Sequence, residues 1–385
     1  MLDNLDQIPW STLEHAYGDA GDIPNLIRAM VSTDPDEREW AQDMLEMGPF
    51  HQGSIYSCTP FVVRFLLLIM QDQDAVEKPW ILRYVSRVLA VALHYLSYPE
   101  IQTQDPEYAF AEQILFEIQS QMPALLSMFD NPDVQVRMSL LRLLGLLKGD
   151  LPNVEQTLAE RLNVETDESM RAALAFCLSL TAARSSLPLI QPILAKATES
   201  PMVRIAAGFG VISALKERTP EDVVMAFCAV IANNYDSLDR FERVYQTYLA
   251  PLGARGEYDR LLECLWYGLS EQQKDEIVRA LLSLYAQLPT VHGFGRRIRK
   301  GSGYYFETMV RLAFGKSEMP PETTIRDLND TQRRILEAFQ QYAMPSIEWN
   351  VYNHFDYRTI LGFTFKSESD FLDFMAGERP ARYTN

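Results

Sequence analysis

The stretch Leu125–Leu147, LLSMFDNPDVQVRMSLLRLLGLL, decides the reading of this chain because it recurs. Leu158–Leu180 reads LAERLNVETDESMRAALAFCLSL, and Leu194–Leu215 reads LAKATESPMVRIAAGFGVISAL. Laid in register, Arg137, Arg171 and Arg204 stand 34 and 33 residues apart, each directly after an apolar residue (Val136, Met170, Val203). Two positions after each arginine comes a small residue (Ser139, Ala173, Ala206), and seven after it an aliphatic one (Leu144, Leu178, Val211). Four positions before it is a residue able to cap a helix: Asp133, Asp167 or Ser200. A more diverged copy near the start places Asp34-Pro35 ahead of Arg38, with Ala41 and Leu45 three and seven residues beyond.

The physical content of this pattern is a two-helix hairpin per unit. An Asp or Ser oxygen accepts from the free amides that open the second helix, proline is tolerated in its first turn, and aliphatic residues at three- and four-residue spacing face inward. A hairpin of this kind cannot bury its apolar face alone, so neighbouring copies must stack to form a core. The arginine sits one turn in, close to a carboxylate four residues earlier in three copies, a pairing worth only about 0.2–0.5 kcal/mol where exposed. A bridge from that arginine to the next repeat is a hypothesis for the structure to test. The segment from Val134 to Lys148 is apolar on nearly every side, as a helix flanked by repeats on both sides would be.

Working outward, helical periodicity dominates to about residue 288. Ser11 and Glu14 spell a capping box for a first helix that Gly18 would end. Pro79–Tyr98 reads as one long helix, Thr59-Pro60 as the start of the helix through Met70, and Pro220–Leu249 and Tyr258–Leu288 as two further hairpins, the latter broken at Ser270-Glu271. About seven hairpins are expected over the solenoid, clearest at 120–216. At His292–Gly303, HGFGRRIRKGSG, the character changes to a glycine-bracketed basic stretch that reads as a loop. Beyond it come short helices at Tyr304–Phe314, Asp330–Tyr342 and Ser369–Met375. The expected organisation is therefore a solenoid over 1–290, a basic loop over 291–303 and a helical cap over 304–385.

Aliphatic residues, an Asp- or Pro-containing turn, Val-Arg, a small residue and an aliphatic helix: this order resembles the HEAT repeat. The N-terminal features Trp10, Leu13–Gly18, Asp22-Ile23-Pro24, His51-Gln52-Gly53, Tyr56 and Thr59-Pro60, with Leu328–Leu336 near the other end, resemble those of bacterial HEAT-repeat proteins. The resemblance covers most of the chain and implies an all-α fold, a right-handed α-α superhelix closed by a C-terminal helical cap. It implies little about activity, since members of that family are mostly without an assigned one.

Composition narrows the function classes. With 35 Lys and Arg against 52 Asp and Glu, the formal charge of −17 repels phosphate backbones and anionic lipid. It disfavours nucleic acid and favours encounter with a basic protein. Cys58, Cys177, Cys228 and Cys264 form no Cys-x-x-Cys pair, which reads as buried thiols in a reducing compartment. The acidic opening Met1–Asp6 is unlike an export signal, and the apolar stretches Phe61–Met70 and Val85–Leu96 fall short of the roughly 20 residues that cross a bilayer. A cytoplasmic protein without membrane contact is expected.

Candidate chemistry is sparse. Arg296, Arg297, Arg299 and Lys300 could grip a phosphate or an acidic segment, or could be a solvated loop; the surrounding glycines fit no nucleotide-binding spacing. His51–Cys58, HQGSIYSC, offers a cysteine and a histidine, but it reads better as an ordered turn. Neither a His-Glu dipeptide nor a His-x-x-x-His spacing occurs, and Asp72 with Asp74 lacks the rest of a calcium loop. The crowded aromatics Trp349, Tyr352, Phe355, Tyr357, Phe363 and Phe365 carry only Arg358 and Lys366 among them, a pattern of packing more than of base stacking. No catalytic, cofactor or metal residues are assigned. The expected function is a non-enzymatic adaptor that holds a basic protein on the face built by its second helices, an immunity-like role being one setting. The alternative is an enzyme on the same scaffold, akin to a DNA glycosylase, which needs a basic groove, or to a bilin lyase.

Overall fold

The computed structural model describes residues 2–72, 75–97, 105–147, 154–181, 187–249, 262, 265, 269–287, 290–293, 296–299, 302–314, 322–338, 340–341 and 368–378. It is mostly helical, with three two-stranded hairpins among the described residues. No helix among them is long and apolar enough to cross a membrane. The chain divides into two compact units, Met1–Ala182 with Tyr245–Asp259 and Ala183–Val244 with Arg260–Asn385. The chain returns to the first unit at Tyr245.

The first unit opens with 3-10 turns at Leu5–Gln7 and Trp10–Thr12, followed by a hairpin of β1 (Glu14–His15) and β2 (Gly18–Asp19). The helix expected from Ser11 and Glu14 is not formed. Instead the buried Trp10 donates its indole N–H to the Leu5 carbonyl at 2.8 Å and rests against Phe61 and Phe65. Gly18, at φ +125°, serves the hairpin where a helix end was expected. Then follow α1 (Ile23–Ala29), α2 (Pro35–Met47), a second hairpin of β3 (Phe50–His51) and β4 (Ser54–Ile55), α3 (Thr59–Met70) and α4 (Lys78–Leu96). Gln52 and Gly53 take φ +49° and +79°, the left-handed pair that a two-residue turn between antiparallel strands favours. Thr59 opens α3 without capping it: its hydroxyl donates to the Pro49 carbonyl at 2.6 Å and accepts from the Tyr56 amide at 2.8 Å.

These hairpins show a duplication that the arginine repeat did not reveal. Glu14 and Phe50, Gly18 and Ser54, Pro24 and Pro60, and Arg28 and Arg64 occupy equivalent places at a constant offset of 36 residues. The two copies are hooked together, with the Glu14 amide donating to Ser57 Oγ at 2.8 Å and the Cys58 amide donating to the Glu14 carbonyl at 3.3 Å.

The unit continues with α5 (Pro106–Ser120), α6 (Met122–Ser127), α7 (Val134–Leu146), α8 (Val154–Val164) and α9 (Glu168–Thr181). Two layers result. The first helices α1, α3 and α5 pack in succession, and the second helices α4, α7 and α9 do the same. In α7 every residue from Val136 to Leu146 is buried, the arrangement that its all-round apolar sequence predicts. A π-helical turn, Tyr245–Leu249, closes onto this layer: Tyr245 meets Phe176 of α9 edge-on at 5.6 Å, and the Tyr248 hydroxyl donates to Gln135 of α7.

The second unit contains α10 (Leu187–Ala195), α11 (Pro201–Leu215), α12 (Glu221–Ile231), α13 (Tyr235–Val244) and α14 (Glu271–Gln287). The break expected at Ser270-Glu271 is a helix start, with Ser270 and Gln273 exchanging backbone-to-side-chain bonds of 3.0 and 3.3 Å as a capping box does. Within the segment expected as a loop at 291–303, the described residues up to Arg299 are paired. Strands β5 (Thr290–Gly293) and β6 (Arg296–Arg299) run antiparallel with Thr290 opposite Arg299. Short helices α15 (Ser302–Phe314), α16 (Asp330–Ala338) and α17 (Glu368–Met375) follow, α15 and α16 packing on α14. The aromatic cluster from Trp349 to Phe365 lies outside the described residues.

Candidate binding face on the second helices

The signature residues act on the backbone. Asp34, Asp133 and Ser200 cap α2, α7 and α11 by accepting from the amides of Asp36, Gln135 and Met202 at 3.0, 2.8 and 3.2 Å, and Asp167 accepts from the Met170 amide at 2.8 Å. Each marker arginine then donates to carbonyls just before its own helix. Arg38 reaches Ser32 at 2.9 Å, Arg137 reaches Asn131 and Pro132 at 2.8 and 3.0 Å, Arg171 reaches Leu162 and Glu165 at 2.8 and 3.1 Å, and Arg204 reaches Leu194 at 2.8 Å. Carbonyls left open at a helix end or turn thereby gain charged donors.

Two of these arginines also span hairpins. Arg38 Nε donates to Glu77 at 2.8 Å, joining α2 to the start of α4, and Arg137 Nε lies 3.3 Å from Glu165, joining α7 to the turn before α9. Glu165 is 2% exposed in its side chain and also receives Arg161 at 2.9 Å and the amides of Thr166 and Asp167 at 3.0 Å each. Burial pushes its carboxyl pKa up, but the Asp167 amide, Arg161, the Thr166 amide and Arg137 together pull it below the ordinary value.

The flank of this second-helix layer carries charge. On α4, Arg83 and Arg87 are exposed one turn apart, Arg87 pairing with Glu46 of α2 at 2.8 Å and lying over the Phe50 ring at 5.2 Å. On the adjoining α7, Arg142 is 8% exposed. None of these three belonged to the sequence pattern. Arg142 could have been found by extending the register: five positions beyond the marker arginine, the next two repeats carry Phe176 and Phe209.

The reactive residues behave as packing. Cys58, Cys177 and Cys228 are buried, and burial pushes the thiols of Cys58 and Cys228 up to about 12 and that of Cys177 higher still. Cys264 lies outside the described residues. His51 contacts the exposed Tyr17 ring at 5.5 Å, while His15 accepts the Tyr17 amide at 3.0 Å and faces Asp22 at 3.2 Å. Iodoacetamide at neutral pH should therefore leave Cys58, Cys177 and Cys228 unlabelled in the folded protein and label them after denaturation. Peptide mapping by mass spectrometry reads this directly, and rapid native labelling of Cys58 would overturn the assignment of a buried thiol. Among the described residues no group of His, Cys, Asp or Glu is arranged to hold a metal. The backbone of Arg296, Arg297 and Arg299 is in β6, their side chains falling outside the described part of the structure together with Lys300.

No family model matches the chain, and comparison with curated proteins and with solved structures likewise gives no match.

Proposed function

We propose that this chain is a HEAT-type helical-repeat scaffold, cytoplasmic and non-enzymatic, that binds a protein partner along its row of second helices. The supporting observation is the layer of α4, α7 and α9, latched from hairpin to hairpin by Arg137 and Glu165 and carrying charged side chains on its flank. A rigid row of helices presents many side chains in fixed positions at low ordering cost, which suits recognition of another macromolecule. The net charge of −17 favours a basic partner and speeds its approach. The right-handed superhelical course belongs to the same proposal.

The test is a pull-down with the full chain in low and high salt, using wild type, an Arg83→Glu variant on the row, and a Phe116→Ser variant on α5 of the other layer. A basic partner that elutes with salt, binds more tightly to Arg83→Glu because a like charge is replaced by an opposite one, and ignores Phe116→Ser supports the reading. A partner insensitive to both salt and Arg83→Glu, or turnover of a small molecule without any retained protein, would sink it.

A further inference from the structure

Repeated units invite a comparison of equivalent positions, and among the three in-register copies the one on α7 carries polar residues at two positions where the other two are apolar. Two residues beyond the marker arginine stand Ala173 and Ala206, and five beyond it Phe176 and Phe209, all buried. The rings have aromatic partners, Phe176 against Tyr245 at 5.6 Å and Phe209 against Phe227 at 4.9 Å. In the copy on α7 those positions are Ser139 and Arg142. Packing alone is satisfied by alanine and phenylalanine there, so the polar pair calls for another cause.

Both substituted side chains are buried, and each holds a donor without a hydrogen-bond partner among the described residues. Ser139 is 1% exposed and Arg142 8%, and neither Ser139 Oγ nor Arg142 Nε makes a hydrogen bond. They lie one turn apart on α7, so their donors fall on neighbouring parts of one face. A buried guanidinium without an anion is costly, because removing a charge from water is repaid only by a counter-charge or by hydrogen bonds. Two further guanidiniums stand nearby on α4, which packs against α7. Burial and then the charges of Arg87 and Arg83 pull the Arg142 pKa down to about 10, which still leaves it protonated at neutral pH. Arg87 is balanced by Glu46, so among the described residues two positive charges in this group have no counter-ion.

We propose that Ser139, Arg142, Arg83 and Arg87 form a binding site for a phosphate-type oxyanion at the α4–α7 contact. The surplus of two positive charges matches an anion carrying close to two negative ones, and planar guanidinium groups with a hydroxyl supply the donors that phosphoryl oxygens accept. The small exposure left to Arg142 gives the anion access. The proposal does not depend on the scaffold reading, since free phosphate needs no protein partner.

Thermal unfolding of the full chain in inorganic phosphate, against sodium chloride at equal ionic strength, tests it. The wild-type Tm should rise with phosphate concentration and not with chloride. Arg142→Phe, which restores the residue of the neighbouring repeats, should lose that rise and be more stable than wild type without phosphate. Arg83→Ser, which relieves repulsion on Arg142, should give a Tm in chloride no lower than wild type and weaken phosphate binding about tenfold, which keeps the test decisive if Arg142→Phe fails to fold. A phosphoserine peptide binding more tightly than phosphate would support a group carried on a larger molecule, and equal affinity a free anion. A wild-type Tm that responds alike to phosphate and chloride, or a phosphate response retained in Arg142→Phe or undiminished in Arg83→Ser, would overturn the site.

Discussion

Replacing Gly208 by valine should cost about 3 kcal/mol or more, a large part of the roughly 5–15 kcal/mol that holds a typical domain folded. Gly208 lies inside α11, where propensity alone would favour alanine by about 1 kcal/mol. Space decides otherwise. A Cβ placed on Gly208 would stand 2.3 Å from Phe227 Cδ2 and 3.0 Å from its Cγ. That ring is fully buried and held edge-on by Phe209 at 4.9 Å, so it has no free direction in which to retreat. Even Gly208→Ala should lower stability, because the overlap outweighs the gain in propensity, and valine adds two further carbons at the same point. Urea unfolding of both variants measures this. A Gly208→Ala protein more stable than wild type would mean that the ring moves aside and that close packing at this crossing is not what selects glycine.

The second large effect is expected at Glu165. Truncation to alanine removes the carboxylate that faces Arg137 and Arg161 and accepts from two backbone amides, leaving Arg137, 9% exposed in its side chain, beside an empty space. Breaking a pair of this burial costs about 3–5 kcal/mol. Glu165→Gln keeps acceptors for the amides but turns an NH2 group toward a guanidinium, and should cost less, about 1.5–3 kcal/mol. The acid dependence follows from the lowered pKa. In the unfolded chain this carboxyl titrates near 4.5, and in the folded chain below it. Its stabilisation is thus complete above the unfolded value and is lost as pH falls through the folded one. The stability gap between wild type and Glu165→Gln should be constant near neutrality and shrink in acid. A gap that stays constant to low pH would show that the carboxylate charge contributes nothing there.

The second helices were legible in the sequence because their signals are local. Asp133 or Ser200 followed by an amide to cap, an arginine one turn in and an apolar run beyond are all contained within about three turns, and α7, α9 and α11 begin where those signals place them. The N-terminal hairpins were not legible. Strands of two residues are too short to show alternation, and Ser11 with Glu14 imitates a capping box; the indole bond from Trp10 to Leu5 is what settles the competition. The basic hairpin at 290–299 failed for a related reason, since Thr-Val-His-Gly facing Arg-Arg-Ile-Arg carries no period-two pattern of apolar residues. Arg142 and Ser139 were hidden by the wealth of apolar residues around them, which made α7 read as uniformly greasy. Only equivalence between repeats, extended past the marker arginine, exposes them.

The constant 36-residue spacing between the first two copies has a consequence for how such a chain can vary. Hairpin, proline-opened helix and Arg28 or Arg64 keep their register, whereas the helix that follows lengthens from 13 residues in α2 to 19 in α4. The seating surface of each module and its adjustable arm are thus separate stretches of polypeptide. The arm can grow by about 9 Å while the joint that orients it stays the same.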